Sequence, residues 1–209
     1  KGDTVDFAKL EQLLDFQMEN GIQAVCVCGT TGEAATMSEH EQLGVIAHTV
    51  RYCDGRIKVI AGTGSNNTAH AVSLSRMADS MGADAVLVVT PYYNKATGQG
   101  LIEHFSEVAD AIRCPMILYN VPSRTGVDIS LDVYKELSKN DKIVGVKEAS
   151  GNTTKIARIL ASCGDSFHVW SGNDDQIVPA MALGAKGIVS VVSNICPAEC
   201  VELCSAIES

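Results

Sequence analysis

No apolar stretch in this 209-residue chain reaches the roughly 18 residues that a membrane-crossing helix requires. No signal-peptide pattern opens it, and a cytoplasmic protein is expected. Positive charge is also short: 16 Lys and Arg stand against 25 Asp and Glu, a formal net charge of −9. That balance disfavours nucleic acid or an anionic membrane as a partner. The acidic residues are interspersed and form no tail. None of the five histidines completes a paired cluster with zinc-site spacing, so no metal is expected. The eight cysteines fall within ordinary strand and helix patterns, which favours reduced, core-filling thiols over a disulfide framework. Cys26 and Cys28 alternate on one strand face, and Cys200 and Cys204 are spaced one helical turn apart. No strand is followed by a glycine-rich dinucleotide turn. Gly62-Thr63-Gly64-Ser65 lacks the lysine of a nucleotide-binding loop and reads as a strand-to-helix turn.

What the chain does have is regular alternation. Apolar runs that read as strands occur near 23–28, 58–62, 85–90, 115–120, 143–149, 168–172 and 187–193. Helical patterns occupy 6–20, 38–53, 67–81, 99–112, 130–139, 153–163, 174–183 and 197–207. Asn20-Gly21 closes the first helix, and Ser38 with Glu41 forms a capping box at the second. Helix and strand in strict succession give an open doubly wound sheet or a closed barrel. Eight helices, each needing a preceding strand, suit a (β/α)8 TIM barrel that lacks its first strand and a C-terminal helical extension. A Rossmann-type sheet is the alternative. At 46% hydrophobic content the chain can pack one core, so residues 1–209 are expected to be a single barrel domain, truncated at both ends. Lys1, in place of a methionine, points to a missing upstream piece.

In a barrel, chemistry gathers where strands end. Lys147 closes the apolar run Ile143-Val144-Gly145-Val146, where burial would lower its pKa and leave a free amine able to attack a carbonyl. On position alone, a lysine snorkelling into solvent is the preferred reading, and the neighbouring segments must decide. Gly29-Thr30-Thr31-Gly32 offers hydroxyls and free N–H groups to a carboxylate, or simply local turn bonds. Tyr119 could trade protons with the amine or plug the barrel; Tyr93 carries the same two readings. Arg124, in a loop after Pro122, could pair with a carboxylate or stay solvated. Asp174-Asp175 reads as helix N-capping in preference to a metal site. Four remote segments converging on one mouth outweigh any one of them.

The segments GTTGE, TPYYN, YNVPSRTG and VGVKEASGN resemble the dihydrodipicolinate synthase family of pyruvate-dependent class I aldolases, (β/α)8 barrels that also include the N-acetylneuraminate lyases. The resemblance runs over essentially the whole chain. It implies a lyase condensing pyruvate with aspartate semialdehyde to 4-hydroxy-tetrahydrodipicolinate, on the route to lysine and diaminopimelate, without a metal or organic cofactor. By matching motif, Lys147 would form the Schiff base, with Tyr119, Thr30 and Tyr93 as the proton relay. Tyr93 would reach a neighbouring subunit's site, which implies a homo-oligomer, a dimer or tetramer. Thr31 would hold the pyruvate carboxylate and Arg124 that of the semialdehyde, and the Val189 carbonyl would line the pocket. The sister lyases typically lack an arginine at position 124, which leaves a sialic-acid or sugar-acid aldolase as the alternative and a non-catalytic keto-acid-binding barrel as a remote one. Lysine-inhibited relatives carry an acidic residue at position 70 and histidines near 39 and 42. This chain has His70, Glu39 and Gln42, so weak or absent feedback inhibition by lysine is expected.

Overall fold

Short parallel strands and the helices between them build the molecule, described for residues 4–208 in a computed structural model. The order is α1 (Phe7–Glu19), β1 (Ala24–Val27), α2 (Glu39–Cys53), β2 (Lys58–Gly62), α3 (Thr68–Ser80), β3 (Ala85–Val89), α4 (Gly98–Asp110) and β4 (Met116–Asn120). It continues with α5 (Pro122–Thr125), α6 (Leu131–Leu137), β5 (Ile143–Glu148), α7 (Thr153–Ser162), β6 (His168–Ser171), α8 (Ile177–Ala182) and α9 (Pro197–Glu208). The six strands lie side by side in chain order, every pair parallel. This is the partial (β/α)8 barrel expected from the alternation; the Rossmann-type order is not seen.

Local chemistry sets the element boundaries. Ser38 accepts a bond from the Glu41 amide while the Glu41 carboxylate accepts one from the Ser38 amide, closing the expected capping box. Asp6, Asn67, Thr97, Ser130 and Asn152 cap five further helices through their side chains.

Alternation along the strands divides the buried residues into two sets. Val86, Val88, Met116, Leu118, Val146 and Val169 face the helices, where Ile46, Phe105, Tyr134 and Ile159 meet them. Ala85, Leu87, Ile117 and Tyr119 face the barrel interior. Each fully buried large side chain stabilises by about 1.5–3 kcal/mol. Most of them lie in the outer set, so the sheet–helix interface carries the fold and leaves the interior free for polar groups.

Three expectations need correction. The seventh strand, near 187–193, is reduced to one bridge, Ser171 with Ile188. The amides of Val191 and Val192, which a longer ladder would use, donate to the Asp174 carboxylate at 3.0 and 3.2 Å. Residues 122–125, read as loop, form one helical turn, with Pro122 at its start and Gly126 ending it in the left-handed region. Cys26 and Cys28 do not share a face. Cys28 lies beyond β1 with a φ of 56° and points toward α2, whereas Cys26 packs with the interior set. All eight thiols are free.

His104 on α4 is buried, with Nδ1 2.9 Å from the Thr68 hydroxyl and Nε2 without a partner among the described residues. Burial pushes its pKa from 6.5 down to about 4. Above pH 6.5 both folded and unfolded chains hold it neutral; below that, only the unfolded chain takes the proton. Stability is therefore expected to fall as the pH drops from about 6.5 to about 4, by up to roughly 3 kcal/mol. Denaturant unfolding of the wild type and His104→Leu across that range should show the slope flattened in the variant.

Candidate active site

Strand register places Tyr119 of β4 directly opposite Lys147 of β5, both on the inner face. The Lys147 Nζ lies 4.3 Å from the centroid of the Tyr119 ring. Lys147 is half-buried and Tyr119 buried. Burial lowers the lysine's pKa, the Arg124 charge lowers it further, and Cys26 and Asp174 oppose both. Burial raises the Tyr119 phenol above its ordinary value, against a hydrogen bond with Thr30 and the Arg124 charge. An amine biased toward its neutral form beside a phenol biased toward its protonated form can attack a carbonyl and exchange a proton.

The turn after β1 delivers Thr30 and Thr31 to the same place. Glu33 takes a left-handed conformation there and donates its amide to the Thr30 carbonyl at 3.0 Å. The end of β2 packs so closely beneath that a Cβ at Gly62 would sit 2.2 Å from the Cys28 carbonyl oxygen. A strand-to-helix turn was legible at 62–65; this backbone approach is the reason for its first glycine.

Lys147, Thr30, Thr31 and Val189 line one cavity of about 1200 Å³, which runs along the interior between β1 and the 186–191 segment. Val189 is held there by its amide, 2.8 Å from the Ser171 carbonyl. Arg124 is exposed on α5, near enough for its charge to act on both Lys147 and Tyr119. Tyr93 lies outside this cavity. It is 89% exposed with a φ of 73°, and its amide donates to the Thr125 carbonyl, next to Arg124.

Two residues that sequence reasoning misjudged shape the same cavity. Asp174 was read as a helix cap, but Asn173 holds the cap position. The Asp174 carboxylate instead accepts from the Ser190 hydroxyl and the Val191 and Val192 amides, fastening the wall that carries Val189. Gly172, after β6, was not singled out. A Cβ there would lie 2.7 Å from the Ala149 Cβ, 3.1 Å from Lys147 Cε and 3.3 Å from its Cγ. Nothing in the linear pattern announces such a contact, because it joins the ends of two strands. Gly172→Ala is expected to push the lysine stem aside and slow carbonyl attack by roughly 10- to 100-fold with the fold intact. Stopped-flow detection of adduct formation with a keto acid checks this, with circular dichroism as the control.

Among the described residues, no group of three or more His, Cys, Asp or Glu side chains is placed to hold a metal ion. No helix among them is long and apolar enough to cross a membrane. A partial barrel with a half-buried lysine among hydroxyls at its strand ends has the architecture of a carbonyl-directed amine enzyme.

Comparison with known proteins makes the assignment specific. The model of the dihydrodipicolinate synthetase family matches residues 1–209, and the chain belongs to that family. It is 53% identical over 203 residues to the 4-hydroxy-tetrahydrodipicolinate synthase of Thermoanaerobacter sp. (strain X514), covering 97% of this chain and 68% of that protein. The solved dihydrodipicolinate synthase from Aquifex aeolicus superposes with a TM-score of 0.98 at 47% identity, over all of this chain and 71% of that one. The chloride-inhibited enzyme from Acinetobacter baumannii, solved in complex with pyruvate, has a TM-score of 0.95 at 42% identity, over 98% of this chain and 70% of that one.

Proposed function

We propose that this protein is a class I lyase that condenses pyruvate with aspartate semialdehyde through an imine on Lys147, giving 4-hydroxy-tetrahydrodipicolinate. The observation that carries the reading is the Lys147 amine, half-buried and 4.3 Å from the Tyr119 ring, with its pKa lowered by burial. The names of the relatives support the substrates, and pyruvate is the ligand of one solved relative.

The placement of the groups supports the following chemistry. The neutral amine attacks the keto carbon, and the carbinolamine loses water to form the imine. Thr31, on the turn after β1, holds the pyruvate carboxylate through its hydroxyl. Tyr119, with Thr30 beside it, carries protons to and from the adduct, and Tyr93 of a neighbouring copy completes the relay. The imine draws electrons from the methyl carbon, which gives up a proton to form the enamine. The enamine carbon bonds to the aldehyde carbon while Arg124 holds the semialdehyde's carboxylate. The amino group that the semialdehyde brings then attacks the imine carbon and expels the Lys147 amine as the ring closes, returning the lysine free. In this reading no external cofactor is needed, the protein works in the cytoplasm, and the role of Tyr93 requires a homo-oligomer. One solved relative is described as the first monomeric variant of its kind, which fits self-association elsewhere in the family.

Arg124 favours the semialdehyde over a neutral sugar as acceptor. Assaying both with pyruvate decides between them: turnover with aspartate semialdehyde and none with N-acetylmannosamine is the expected result, and the reverse assigns the sialic-acid branch.

A further inference from the structure

The residues that follow Tyr119 and Lys147 are also paired, on the opposite face of the sheet. Register sets Asn120 against Glu148, and strand alternation turns both toward the helices. The Glu148 side chain is only 1% exposed, an unusual place for a carboxylate. It is fully engaged there. Its Oε1 accepts from the Asn120 amide nitrogen at 3.0 Å and from the Ser150 backbone N–H at 2.8 Å. Its Oε2 accepts from Asn120 at 3.0 Å and from the Tyr134 hydroxyl at 2.8 Å, with Lys155 Nζ 3.9 Å away.

Asn120 passes this anchorage on. Its amide nitrogen also donates to Asp128 at 2.8 Å, and its carbonyl oxygen accepts the Ile129 N–H at 3.1 Å. Lys155 pairs with Asp128 as well. The segment 120–129, which carries Arg124, is thus tied at one end to the Glu148 carboxylate through Asn120, whose side chain in turn holds the other end. That carboxylate also fixes the Ser150 amide just beyond Lys147. None of these atoms faces the cavity, so the cluster has no part in bond making.

We infer that Glu148, acting with Asn120, is a positioning residue for the reaction: the buried cluster behind the sheet holds Lys147, Tyr119 and the Arg124 segment in register. This rests on the assignment of Lys147 as the imine-forming residue. An apolar residue of similar volume would fill the same space at less desolvation cost, so a charged acceptor here is explained by the donors it must gather.

The isosteric Glu148→Gln variant isolates this role. Each carboxylate oxygen faces at least two donors, so either orientation of the glutamine amide sets an NH2 group against them. Pyruvate trapping by borohydride at saturating pyruvate is expected to slow roughly 10- to 100-fold in the folded variant. The KM for aspartate semialdehyde should rise while that for pyruvate stays put, because the Thr30–Thr31 turn belongs to β1, outside the cluster. Should the variant not fold, Tyr134→Phe removes one donor, keeps the ring and is read by the same three measurements. Wild-type trapping and an unchanged semialdehyde KM in a folded variant overturn the inference, as does an equal rise in both KM values. Absence of trapping in the wild type would instead overturn the assignment of Lys147.

Discussion

Lys147→Ala is expected to lower kcat/KM by at least about 10³-fold, since among the described residues no other amine stands over the Tyr119 ring to form the imine. The loss should be in chemistry and not in folding. Burial already disfavours this ammonium, so its removal deletes a desolvation cost along with a side chain that is only half-buried. The unfolding temperature of the variant should match or exceed that of the wild type at neutral pH. Steady-state rates and thermal unfolding, measured on the same preparation, check both halves. Retained turnover would move the chemistry to a different residue.

Tyr119→Phe is expected to cost about 10²- to 10⁴-fold in kcat, the range over which a positioned proton donor acts. The ring stays, so its contact with the lysine and its packing in the interior cluster persist. What goes is the hydroxyl beside Thr30, and with it the proposed route by which the carbinolamine sheds water. A pH profile separates this from a packing defect: the wild-type limb that belongs to the phenol should vanish in the variant. A variant with wild-type kcat would make Tyr119 an aromatic plug of the barrel.

How far these groups were legible in the sequence differs from residue to residue. The sheet–helix alternation was readable because buried parallel strands, such as Ala85–Val89, leave unbroken apolar runs. The capping box at Ser38 was readable because it is local. The seventh strand was not, because its amides are taken by Asp174, sixteen or more positions away, and no local propensity encodes that competition. Lys147, Thr30 and Thr31 stood out because each breaks a local pattern, an ammonium in an apolar run or hydroxyls between glycines. Gly172 and Glu148 break none that can be seen in one dimension. Gly172 matters through its distance to the lysine stem, and Glu148 through four hydrogen bonds brought from three separate residues. Sequence patterns reveal groups that violate their surroundings, while groups that complete them emerge only once the chain is folded.

The most direct measurement is peptide-resolved mass spectrometry of the protein after incubation with pyruvate and borohydride. A reduced pyruvyl adduct on the peptide carrying Lys147, and on no other lysine, is the predicted result. An unmodified Lys147, or an adduct spread over the surface lysines, would contradict it.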